Sequence, residues 1–170
     1  MNKSNQNIKF KGNKMNIRGQ DIKEGQKLPE FKLITNDLTE VTNKDYAGKT
    51  LVISVIPSVD TSTCHIQTKR FNQEATKLGS NVVILTVSRD LPFAQKRWCG
   101  VEGVDRVITL SDYKYRSFGE TFGVEAVDMA LLARAVFVVD KNSVVKHVEY
   151  VEDLSAEPDY QAALQAVSKA

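Results

Sequence analysis

A chain of 170 residues holds one ordinary domain, and its 42% apolar and 26% charged side chains suit a globular core, not a disordered or low-complexity segment. The 23 basic and 21 acidic side chains leave a net charge of only +2, which argues against a dedicated nucleic-acid binder. No apolar run approaches the roughly 20 residues of a membrane span. The polar start Met1-Asn2-Lys3-Ser4-Asn5-Gln6-Asn7 carries no apolar signal stretch, so a cytoplasmic location is expected. Such a compartment keeps thiols reduced, so the two cysteines are not expected to form a permanent structural bridge.

Residues 1–27 are polar and rich in Lys, Asn and Gly. Within them Ile8–Lys11 and Met15–Arg18 alternate apolar and polar about Gly12-Asn13, which predicts a half-buried β-hairpin at the start of a single domain over 1–170. Phe31–Thr35 reads as a short strand before the turn Asn36-Asp37. Leu51–Ile56, Val82–Val87 and Ala135–Val139 are apolar, β-branched runs of the kind that fill central strands covered on both faces, and Val107–Leu110 is a shorter one. Val144–Val151 mostly alternates, as an edge strand with a wet face would, and His147 falls on that wet face. Helices are expected over 64–78, over 91–99 between an Asp90 cap and a Gly100 stop, over 112–122 ending at Gly123, and over 158–168. Strand–helix alternation followed by a hairpin and a last helix predicts an α/β fold. It is a mixed central sheet with helices on both faces, compatible with a thioredoxin-like core carrying an N-terminal β-hairpin. A flavodoxin-like sheet would be all parallel, and the closing hairpin argues against it.

Cys64 stands where the first central strand has ended and a helix begins. The first turn of a helix offers unpaired N–H groups and the positive end of the macrodipole, and both favour thiolate over thiol. Thr61, three residues upstream, could donate a hydrogen bond to that thiolate, and Pro57 would end the strand and set the loop's entry. The competing reading is an inert buried cysteine. Cys99 lies 35 residues later near a helix C-terminus, where nothing lowers its pKa; it could condense with an oxidised Cys64 or simply pack beside Trp98. Arg134 leads directly into an apolar strand and needs an anionic partner, such as a thiolate, unless it reaches solvent at the sheet rim. Cys64, Cys99, His65 and His147 match no zinc spacing, and no Gly-rich phosphate loop or serine-hydrolase elbow occurs. His65 reads as an exposed helix residue that could tune Cys64.

Pro57-x-x-x-Thr61-x-x-Cys64 resembles the active-site signature of the peroxiredoxins. Pro57–Thr61, Lys69-Arg70-Phe71-Asn72, the segment Asp90–Cys99, Val107–Ser111 and Leu132–Val136 resemble the atypical two-cysteine branch of that family, the thiol peroxidases. The resemblance runs from about residue 8 to the end, with Phe10-Lys11-Gly12 and Pro158-Asp159-Tyr160 included. It implies a thioredoxin fold without metal or organic cofactor, reduction of hydroperoxides with electrons from thioredoxin, and a homodimer. It also implies that Cys64 is the peroxidatic and Cys99 the resolving cysteine of an intrachain redox disulfide. Thr61 and Arg134 would then orient the peroxide, and Pro57 would shield the site. Two positions depart from the family pattern: Thr63 stands where a valine is common, and His65 follows the cysteine.

Two other readings of the same residues remain. A disulfide reductase is disfavoured by the absence of Cys-x-x-Cys. A redox sensor would use a Cys64–Cys99 disulfide to switch a partner surface.

Overall fold

The computed structural model describes residues 2–170. The chain opens with β1 (Lys9–Phe10), β2 (Asn13–Lys14) and β3 (Ile17–Arg18), followed by β4 (Lys32–Thr35) and β5 (Glu40–Thr42). Then come β6 (Thr50–Val55), α1 (Ser62–Ala75), β7 (Val82–Ser88), α2 (Pro92–Glu102) and β8 (Ile108–Ser111). The last third holds α3 (Phe118–Thr121), β9 (Glu125–Ala126), β10 (Leu131–Leu132), β11 (Ala135–Val139), β12 (Val145–Tyr150) and α4 (Tyr160–Ser168).

Seven strands form one mixed sheet in the order β12-β11-β6-β7-β8-β4-β5. β6, β7 and β8 run parallel, joined by α1 and α2, whereas β11, β12, β4 and β5 pair antiparallel. The closing hairpin thus makes the sheet mixed, as its sequence pattern implies. Alternate residues of the buried strands feed two cores. Leu51, Ile53, Val55, Leu85, Val87, Leu110 and Phe137 face one side, packed with Phe31, Phe118, Phe122 and Tyr150. Val52, Ile56, Ile84, Val136 and Val138 face the other, packed with Phe71, Trp98, Ala163 and Val167 of α1, α2 and α4. Among the described residues, three of the four α-helices therefore share one face, and the short α3 covers the other together with the N-terminal segment.

The N-terminal hairpin is present but tighter than its alternation suggests. Lys11 and Gly12 both adopt positive φ, 51° and 81°, the conformation of a two-residue turn that matches strand twist, so Lys9 pairs with Lys14. Ile17–Arg18 pairs instead with β9, and β9 pairs with β10, in a separate small sheet. The hairpin is not an appendage: Lys9 N donates to Glu152 O at 2.6 Å and Leu154 N donates to Lys9 O at 3.0 Å.

Helix ends depart from expectation for local reasons. Asp90 is not a helix cap, because its carboxylate accepts from Ser58 Oγ (2.7 Å), Val59 N (2.9 Å) and Ser88 Oγ (2.6 Å). Leu91 takes the cap position without a side-chain bond. Gly100 lies inside α2, which runs on to Gly103, where a φ of 65° ends it. The helix expected over 112–122 shrinks to Phe118–Thr121, because the Asp112 carboxylate is taken by Arg89 and by Phe118 N. His147 is not wet: it is 5% exposed, on the face of β12 that shares a side with Val138, and Lys3, Glu24 and Asp159 are the charged groups near it. Residues near the N-terminus also pair with the outer edge of β12. Asn2 O accepts from Tyr150 N, and Gly25 N donates to Val145 O. Burial pushes the His147 imidazole below its ordinary pKa.

Tyr150 ties this edge to the core. Its hydroxyl accepts from Ile22 N at 2.7 Å and donates to Phe122 O at 2.9 Å, both buried. Tyr150→Phe leaves two buried backbone groups unpaired and is expected to cost about 1–3 kcal/mol in a urea titration. An unchanged midpoint would show that Ile22 and Phe122 find other partners.

Candidate active site

The site is built at the carboxyl end of β6. Ile56 N still donates to Val87 O at 3.0 Å, but Pro57 has no N–H and the parallel pairing stops there. The loop that follows is held by Asp90 through Ser58 and Val59, and Thr61 N closes a turn on Ser58 O at 3.2 Å. Thr61 is the N-cap of α1. Its Oγ1 accepts from Cys64 N at 3.3 Å and donates to Ser58 O at 3.4 Å. In this state the Thr61 hydroxyl therefore serves the backbone and not the Cys64 sulfur. Cys64 is the third residue of α1, fully buried, with a free thiol.

Arg134 does not reach for solvent. It is 1% exposed, and its guanidinium meets only neutral acceptors. Nε and Nη2 donate to Leu154 O at 3.2 and 2.8 Å, and Nη1 donates to Gln67 Oε1 at 2.8 Å. Among the described residues no carboxylate forms an ion pair with it. A buried cation so placed favours any anion that comes within reach.

A cavity of about 230 Å³ opens onto Pro57, Thr61 and Arg134 and is walled by Phe10, Met129 and Leu154. Ser62 and Thr63, the two residues ahead of Cys64, also line it. Three of the five candidate residues thus share one cavity, with Cys64 in the helical turn beside it. Cys99 stands apart from it. It lies inside α2, half-buried, with Sγ 3.7 Å from Thr109 Oγ1 on β8, and its thiol is free.

Sequence reasoning missed several members. Gln67 is fully buried, donates to Ser54 Oγ at 2.7 Å and accepts from Arg134, so it aims the guanidinium. A signal existed: residues 64, 67, 68 and 71 share one helix face, and a glutamine on a core-facing stripe needs a polar partner. Phe10, Met129 and Leu154 come from distant segments, and no local pattern marks them. A second buried arginine, Arg89, pairs with Asp112 and Glu125 and donates to the carbonyl of Ala130, the residue after Met129, at 3.1 Å.

The family model described as Redoxin matches residues 23–164. A thiol peroxidase of Oceanobacillus iheyensis is 50% identical over 163 residues, covering 96% of this chain and 99% of that protein. A thiol peroxidase of Bacillus subtilis is 50% identical over 159 residues, covering 94% and 95%. Among solved structures, a peroxiredoxin-like protein from Aquifex aeolicus superposes with a TM-score of 0.90 at 35% identity, covering 96% of each chain.

Burial pushes the Cys99 thiol above its ordinary pKa, against the opposing pull of the Thr109 hydroxyl. In a Cys64→Ser variant, the rate of Cys99 alkylation is expected to rise with pH through a midpoint above about 8.5. A midpoint at or below that value would mean that burial does not control this thiol.

Proposed function

The chain belongs to the redoxin family and is a thiol-dependent peroxidase, and within that activity we propose that Cys64 is the peroxidatic nucleophile and Cys99 the cysteine that resolves it. The observation that carries the reading is the buried, carboxylate-free guanidinium of Arg134, which shares one cavity with Thr61 and Pro57 beside the first turn of the Cys64 helix. An arginine without an anion and a cysteine at a helix N-terminus complement each other as cation and thiolate.

In the proposed cycle a hydroperoxide enters the cavity, and the Cys64 thiolate attacks its terminal oxygen. The S–O bond forms as the O–O bond breaks. The leaving oxygen takes a proton and departs as water or an alcohol, and Cys64 becomes a sulfenic acid. Arg134 stabilises the charge that builds on the oxygens, with Thr61 beside it, and the Pro57 wall limits water. Gln67 is the positioning residue that keeps the guanidinium aimed. Hydrogen peroxide and small organic hydroperoxides fit a cavity of about 230 Å³ whose far wall is apolar.

The Cys99 sulfur then attacks the Cys64 sulfur, giving an intrachain disulfide and water. Thioredoxin returns both thiols by exchange. Cys64 is fully buried and Cys99 faces β8, so one of the two helices must loosen before the sulfurs meet. Repeated reduction of a disulfide requires a thiol-reducing compartment, which supports the cytoplasm as the place of action. A homodimer and a single domain over residues 1–170 complete the proposal.

Two substitutions test it. Cys64→Ser is expected to remove peroxide turnover down to the uncatalysed rate, and retained turnover would dismiss Cys64 as the nucleophile. Cys99→Ser is expected to consume one equivalent of peroxide and then stall with thioredoxin and its reductase present. Continued recycling in that variant would take Cys99 out of the cycle.

A further inference from the structure

The two residues flanking Cys64 in α1 are not idle. Thr63 Oγ1 donates to Ser155 O at 3.0 Å, which ties the first turn to the loop between β12 and α4. His65 reaches the other way, onto α2. Its ring meets Trp98, the neighbour of Cys99, edge-on, with centroids 5.4 Å apart and planes at 89°. Its Nε2 lies 3.5 Å from Glu102 Oε2. Lys69, one turn further along α1, brings Nζ to 3.5 Å from the same oxygen. Arg106 N then donates to Asn72 Oδ1 at 2.7 Å, continuing the seam past the end of α2.

We propose that His65, Lys69 and Glu102, closed over Trp98, form a latch between the two cysteine-bearing helices and set the rate at which Cys99 reaches Cys64. The proposal rests on the reading of Cys99 as the resolving cysteine. The latch spans the interface that has to open. α1 is anchored on β6 through Gln67 and Ser54, and Cys99 of α2 sits against Thr109 on β8. β7 separates those strands, so the anchors lie two strand spacings apart, about 9.6 Å. A disulfide requires Cβ atoms within about 4.5 Å. In the step that follows, the Cys99 sulfur bonds to the Cys64 sulfur and the S–O bond breaks. The hydroxyl leaves with the Cys99 proton as water, so Cys99 is oxidised as the sulfenic sulfur is reduced. While the latch is shut, the sulfenic acid persists. A second hydroperoxide can then convert it to sulfinic acid, with loss of water or alcohol.

Glu102 supplies the sharper argument. A carboxylate at the last residue of α2 faces the negative end of that helix's dipole and weakens the helix by itself. Among the described residues, the reach across to Lys69 and His65 is what offsets this. Glu102→Gln should therefore stabilise α2 as a helix while releasing it from α1. If α2's own stability governed resolution, the variant would slow it; the latch requires that it speed up.

The test mixes reduced full-length protein with one equivalent of hydrogen peroxide. Samples quenched with acid are followed by intact mass, with the fluorescence of the single tryptophan, Trp98, as a continuous signal. In His65→Ala and Glu102→Gln, gain of one oxygen is expected at the wild-type rate. Loss of two hydrogens is expected about two- to fivefold faster, the range that a part-exposed ion pair supports. With peroxide in large excess, the sulfinic fraction should fall in both variants. A disulfide step that is unchanged or slower, in variants with wild-type circular dichroism, overturns the latch. Wild-type protein that gains oxygen and never forms the disulfide overturns the reading of Cys99 itself.

Discussion

A guanidinium 1% exposed, with no carboxylate paired to it among the described residues, is the constraint around which this molecule is arranged. Removing an ion from water costs several kcal/mol even after relaxation, so the surroundings of Arg134 must supply acceptors from every side. They come from two places in the chain. Gln67 of α1 takes one N–H, and Leu154, in the loop after β12, takes two. The N-terminal hairpin then holds that loop through Lys9. Neutral acceptors solvate the cation without neutralising it. In the proposed cycle, the developing charge of a breaking O–O bond would be stabilised there more than the uncharged peroxide, which is the condition for catalysis.

The second buried arginine shows the opposite solution. Arg89 is matched by Asp112 and Glu125, so its charge is spent inside the protein. It ties the ends of β7 and β8 to β9 and to the carbonyl of Ala130, next to the cavity-lining Met129. One arginine is compensated and builds a wall; the other is uncompensated and faces the space that the wall encloses. Burial alone would not distinguish them. Their partners do.

Much of this was legible in the chain, and the failures have physical causes. The runs at 51–56, 82–87 and 135–139 announced central strands because both faces of each are buried, which leaves no room for polar alternation. The strand–loop–helix placement of Cys64 was equally legible, being local. Helix ends were not: Gly100 looked like a stop, yet only Gly103 adopts the left-handed conformation that ends a helix. Asp90 looked like a cap but was claimed by the loop carrying Ser58 and Val59. His147 looked wet because the groups around it, Lys3, Glu24 and Asp159, come from other segments of the chain. The same distance hides the cavity: Phe10, Met129 and Leu154 meet only through the tertiary fold, whereas Pro57, Thr61 and Arg134 carried signals of their own.

The proposed cycle asks the two helices for different things, and their construction differs accordingly. α1 must hold Cys64 steady for the attack on peroxide. It is capped by Thr61, and beyond the first turn it is pinned to β6 by Gln67. α2 must deliver Cys99 across the gap. It starts without a side-chain cap and carries Gly100 in its interior, where glycine costs about 0.5–1 kcal/mol relative to alanine. It also ends on a carboxylate that opposes its own dipole. Its first half is held by Gln95, which donates to Ser88 Oγ at 3.0 Å and to Leu110 O at 2.9 Å. Its second half, with Cys99, has Trp98 in the core and the polar seam to α1. The part of the molecule that has to open is thus the part whose order depends least on its own backbone and most on side chains reaching from its neighbour.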